Sequence, residues 1–91
     1  MSVVIVGGNE CMVRRYKEIC DEYHCKSKVF PKTDGALKEI GSPDLLVLFT
    51  GTVSHKMVRS TLNETKGKDI KIVRCHTSSA SALRSILNEH A

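Results

Sequence analysis

Three short segments hold most of the residues that could do chemistry in this chain. Gly7-Gly8-Asn9, Gly51-Thr52-Val53-Ser54-His55 and Cys75-His76-Thr77-Ser78-Ser79 each separate an apolar run from a helical pattern. His55 and His76 are two of the four histidines, and neutral imidazole is the usual nitrogen donor to a metal or a haem iron. A first-turn hydrogen bond at His55 and a capping role at His76 are the competing local readings. His24 and His90 lie near helix ends and read as surface groups. Gly7-Gly8 lets the backbone approach a ligand closely, and the helix that follows offers free N–H groups to an anion.

Other chemistries find less support. V-G-G-N-E-C is neither the G-x-G-x-x-G dinucleotide motif nor a phosphate-cradling loop ending in G-K-[ST]. Phe30-Pro31-Lys32 stands where a ribose-binding acid would end the second strand, which argues against a dinucleotide. Ser54-His55 and the run from Thr77 to Ser81 bring hydroxyls beside histidines. Without a G-x-S-x-G elbow or an acid to orient the imidazole, the chain reads as non-catalytic. The four cysteines, Cys11, Cys20, Cys25 and Cys75, form no C-x-x-C pair, so free thiols are expected rather than a structural zinc site. Cys11 sits in a first helical turn that could lower its pKa, although an inert thiol is the commoner outcome. Cys20 and Cys25 read as core or helix-end residues. Arg14 and Arg15 either lean toward the anion crevice or form a solvated basic face.

The surrounding pattern has to position these groups. Ser2 to Val6 is a β-branched run that predicts a buried strand ending at Gly7-Gly8. From Asn9, a plausible N-cap, the period changes, and Met12, Tyr16, Ile19 and Tyr23 share one helical face. Lys26 to Lys32 contains Pro31 and predicts an edge strand. A short helix is expected from about Ala36 to Ile40, stopped by Gly41 and Pro43. Asp44 to Thr50 is apolar on both faces, as a central parallel strand requires. Val53 to Lys66 predicts a helix with Val53, Met57, Val58 and Leu62 inward. Asp69 to Cys75 is a fourth strand. Ser78 to His90 is a last helix burying Ala80, Leu83, Ile86 and Leu87.

Four strands alternating with four helices predict an α/β fold, a small doubly wound parallel sheet of flavodoxin-like or half-Rossmann type in the order 2-1-3-4. In such a sheet ligands bind beyond the carboxyl ends of the strands, where the order reverses, here between strands one and three. The 91 residues bound this to a single α/β domain over 1–91. Hydrophobic residues at 41% and charged residues at 26% exclude a disordered tail. The longest apolar run is far too short for a membrane span, and the start lacks a basic leader, so a cytoplasmic location is expected. A net charge of +4 suits an anionic ligand, but only Tyr16, Tyr23, Phe30 and Phe49 are aromatic. Nucleic acid is therefore not the expected partner.

V-V-I-V-G-G-N-E, M-V-R-R-Y, T-D-G-A-L, D-L-L-V-L-F-T, T-V-S-H-K-M-V and V-R-C-H-T-S-S-A-S-A-L occur in this order. Together they resemble the bacterial family called domain of unknown function 2325 over nearly the whole chain. The resemblance implies a small Rossmann-like module with polar positions clustered at the strand ends: Gly7, Gly8, Arg15, Tyr16, Asp34, Gly35, Thr50, Ser54, His55, Arg74, His76, Ser79 and Ser81. It also implies haem binding, with reversible dioxygen binding, through a histidine. Cys75 stands where small or hydroxyl residues are commoner in the family. On this reading His55 or His76 is the donor, and Arg14, Arg15 or Arg74 meets the haem carboxylates. A chain of this length covers only part of a porphyrin, so a homodimer is expected. Two alternatives stand beside haem. One is a nucleotide or phosphate ligand on Gly7, Gly8, Asn9, Thr77, Ser78 and Ser79. The other is a regulatory protein–protein module akin to a receiver domain without its acidic pocket.

Overall fold

The computed structural model describes residues 1–30, 41 and 43–90. Four parallel strands, β1 (Ser2–Gly7), β2 (Lys26–Phe30), β3 (Leu45–Phe49) and β4 (Lys71–Cys75), form one sheet in the order β2-β1-β3-β4. This is the expected strand order. Among the described residues there are three α-helices rather than four: α1 (Val13–Glu22), α2 (His55–Thr65) and α3 (Ala80–His90). The short helix expected over 36–40 lies outside the described residues, as do Pro31, Asp34 and Gly35.

The alternation of side chains along the two central strands explains the layering. In β1 and β3, Val3, Ile5, Leu45, Val47 and Phe49 pack with Tyr16, Ile19 and Cys20 of α1 and with Leu83, Ile86 and Leu87 of α3. Val4, Val6, Leu46 and Leu48 point the other way, onto Met57 of α2. Every residue of β3 is buried, because both of its faces meet a helical layer. Both edge strands carry exposed lysines, with Lys26 and Lys28 on β2 and Lys71 on β4.

Local chemistry sets the boundaries. Asn9 caps as expected, but it opens a 3-10 turn over Glu10–Met12 rather than the α-helix itself, which starts at Val13. Ser54 caps α2 by accepting from the Met57 N–H at 3.2 Å, so the helix begins at His55 rather than Val53. Thr61 and Thr65 are buried on the inner face of α2, where an apolar stripe was expected to end. Each hydroxyl donates back to a carbonyl of its own helix, Thr61 to Met57 at 2.9 Å and Thr65 to Thr61 at 3.1 Å. Burial therefore leaves neither hydroxyl unpaired. Among the described residues no helix is long and apolar enough to cross a membrane.

Candidate functional site

The strand order reverses between β1 and β3, whose carboxyl ends lie side by side, Gly7 next to Phe49. Gly7 and Gly8 both hold positive φ, +91° and +89°. Side chains of the protein itself take up the room they leave. A Cβ on Gly8 would lie 2.7 Å from Cε2 of the Tyr16 ring, and one on Gly7 would lie 2.6 Å from Cγ1 of Val53. Tyr16 is completely buried, with its ring centroid 5.5 Å from that of Phe49.

Backbone donors of the Gly-Gly turn are likewise engaged. The Gly8 N–H donates to Thr52 Oγ1 at 2.6 Å, and the Thr52 hydroxyl donates to the Phe49 carbonyl at 3.1 Å. Asn9 N–H points to the Tyr16 hydroxyl at 3.4 Å, whose own proton goes to the Ser78 carbonyl at 2.6 Å. Cys11 N–H is held by the Asn9 side chain and Met12 N–H by the Asn9 carbonyl. The loops after β1, β3 and β4 are thus cross-tied through Thr52 and Tyr16, neither of which sequence reasoning singled out for that task. Its one available signal was a tyrosine two helical turns beyond a glycine pair.

The other expected site residues divide between this cluster and the outer surface. Thr50 is half-buried in the 3-10 turn Thr50–Thr52. Gly51 lies against the backbone carbonyl and the imidazole of His76, so any side chain at position 51 would collide with that loop. His76 itself is exposed. The Cys75 thiol donates to the Thr77 carbonyl at 3.2 Å, and Ser79 Oγ accepts from Ala82 N–H at 3.2 Å in the manner of a helix cap. Arg14 and Arg15 do not reach the crevice through their ion pairs, since both lie beside Glu18 on α1, at 3.6 and 3.5 Å. Arg74 is exposed on edge strand β4.

His55 is exposed at the start of α2 and opens a surface groove of about 840 Å³ along that helix. The groove continues over Lys56, Arg59, Leu62, Asn63 and Lys66. A second cavity, about 400 Å³, lies at the opposite end of the sheet, against Ser2, Val4, Lys26, Ser27 and Pro43. His55 and His76 therefore occupy different surroundings, one on the helix groove and the other in the loop after β4, against Gly51 of the loop after β3. No group of three or more His, Cys, Asp or Glu converges to hold a metal ion among the described residues.

The profile of a bacterial family described as an uncharacterized protein conserved in bacteria, domain of unknown function 2325, matches residues 2–90. The chain belongs to that family. No curated protein and no solved structure matched it.

In this member of domain of unknown function 2325 all four cysteines are free thiols, with Cys11 exposed, Cys75 half-buried, and Cys20 and Cys25 buried. Burial, and then the adjacent Cys25, push the Cys20 thiol up to about 11 from 9.0, so it stays protonated at neutral pH. That fits a packing role at the junction of α1 and β2.

Proposed function

We propose that this chain is a non-catalytic ligand-binding module that holds haem through His55 at the carboxyl end of the sheet, as a homodimer. The observation that carries this reading is the groove on α2, in which an exposed imidazole is followed by Lys56, Arg59 and Lys66. Among the described residues the His55 imidazole makes no hydrogen bond, so coordinating a metal would cost no existing side-chain interaction. Arg59, one helical turn further on, would meet a carboxylate of the porphyrin, and Lys56 and Lys66 would add positive charge. The donor set fits the group. The apolar wall does not suffice alone, because half-buried Leu62 is its one aliphatic member, and a second protomer would supply the opposite wall. When bound, haem would supply an iron that can take up dioxygen reversibly. What the protein contributes is the axial donor, the cations and exclusion of water.

Ser54 supports the choice of His55. Its side chain caps the first turn of α2, which fixes the backbone that carries the imidazole. The alternative of a phosphate ligand on the Gly-Gly turn is weakened, because the N–H groups of Gly8, Asn9, Cys11 and Met12 already have partners.

Haemin titration of the wild type, His55→Ala and His76→Ala, followed by the Soret band, tests the proposal. The expected result is loss of binding in His55→Ala alone. Wild-type affinity in a folded His55→Ala protein would remove that residue from the role, and loss in His76→Ala alone would transfer it. A wild type that binds no haemin overturns the reading.

A further inference from the structure

The arginines of the two helical layers are treated differently, while Lys17 on α1, like Lys56 on α2, is unpaired among the described residues. On the α1/α3 side, Arg14 and Arg15 share Glu18, and Arg84 forms a two-pronged pair with Glu22. Lys56 and Arg59 on α2, and Lys66 at its C-cap, are exposed, and their side chains have no ion-pair or hydrogen-bond partner among the described residues. Positions 56, 59, 63 and 66 follow the three- and four-residue spacing that aligns side chains on one helical face. At 1.5 Å per residue, the stripe is about 15 Å long. The place at 63 is filled by Asn63, so no carboxylate interrupts the stripe, and half-buried Leu62 flanks it.

We infer that this face of α2 docks an acidic, amphipathic helix of a partner protein. A partner helix with carboxylates at matching spacing would meet all three cations along one line. An apolar residue beside that line would cover Leu62 and the methylene stems of the lysines. Single-stranded nucleic acid is disfavoured because no residue lining this face is a phenylalanine, tyrosine or tryptophan, so the face offers no aromatic platform for base stacking. A duplex would set two rows of phosphates against a single row of cations. The inference does not depend on haem, since it needs no imidazole donor; both ligands would use Lys56, Arg59 and Lys66, so peptide and haem would compete for this face.

The test uses a labelled synthetic helix of about 15 residues, long enough to match the stripe, with glutamates at three- and four-residue spacing and leucines on the flank. Anisotropy is measured with the full chain as wild type, as Lys56→Glu with Lys66→Glu, and as Lys17→Glu with Lys71→Glu. The last pair changes net charge equally but lies off α2. The expected result is binding by the wild type, weakening of about tenfold or more in the α2 pair, and little change in the control pair. Equal weakening in both pairs would reduce the attraction to net charge and overturn the inference. So would absence of binding by the wild type, or a DNA duplex that displaces the peptide. Circular dichroism checks folding, and peptide binding by His55→Ala, which keeps Lys56, Arg59 and Lys66, separates this inference from the haem proposal: the peptide should still bind where haemin does not.

Discussion

The Tyr16 hydroxyl donates a 2.6 Å hydrogen bond to the Ser78 carbonyl, 62 positions further along the chain. It also receives the Asn9 N–H at 3.4 Å, so one side chain ties the loop after β1 to the loop that precedes α3. Tyr16→Phe keeps the ring against Gly8 and Phe49 and removes only this link. Destabilisation of about 1 kcal/mol is expected by urea unfolding, because the ring contacts persist. Proteolysis should also show earlier cleavage between β4 and α3.

Gly8 and Gly67 form a controlled comparison. Both have positive φ, +89° and +81°, but a Cβ at Gly67 meets nothing within 4 Å. Gly67→Ala should therefore cost about 1 kcal/mol, the backbone strain alone. Gly8→Ala adds the collision with Tyr16 and should cost at least about 1 kcal/mol more, read as a lower urea midpoint. Equal losses at the two positions would mean that the Tyr16 ring yields without resistance.

Cys20 makes stability depend on alkaline pH. Its thiol is held up to about 11 in the folded protein against 9.0 otherwise, chiefly by burial and then by Cys25. The folded state binds this proton more tightly, so the stabilisation is complete below pH 9 and is lost as pH rises toward about 11. Cys20→Ala should flatten that alkaline decline in urea midpoints measured from pH 8 upward. In the native wild type at neutral pH, a thiol reagent should modify exposed Cys11 first and Cys20 only on unfolding.

At the acid end the pair between Glu22 and Arg84 acts in the opposite sense. The Arg84 guanidinium bonds the Glu22 carboxylate and holds it below its usual range, so the tie between α1 and α3 is present at neutral pH. It is lost as pH falls through the lowered value. Because both side chains are more than a third exposed, Glu22→Gln should change neutral-pH stability little. The variant should approach the wild type as pH falls, which a pair of unfolding series at neutral and acid pH would check.

The residue pattern by itself determined the order of elements and the sheet. Unbroken apolar runs at 3–6 and 45–49 can be buried only between two helical layers, and the change from strand to helical period marks where each crossover begins. Strand order 2-1-3-4 and the reversal point followed from that alternation, and so did the three loops around it. The pattern was silent on Thr61 and Thr65, whose hydroxyls bond carbonyls of their own helix and so behave as core residues. Tertiary structure alone decided what the loops do with their polar groups. Gly7-Gly8 reads as an open anion cradle until the β1–β3 register sets Gly7 beside Phe49 and brings Thr52 and Val53 against the turn. Tyr16 then fills the space over Gly8, at a distance that no local periodicity encodes. Arg14 and Arg15 could lean over the crevice or, more commonly for such a pair, form a solvated face, and the structure sets both beside Glu18 on the exposed side of α1. The unpaired cations of α2 were visible as letters. Their lack of partners was not, because it depends on which acids the packing of the layers brings within reach.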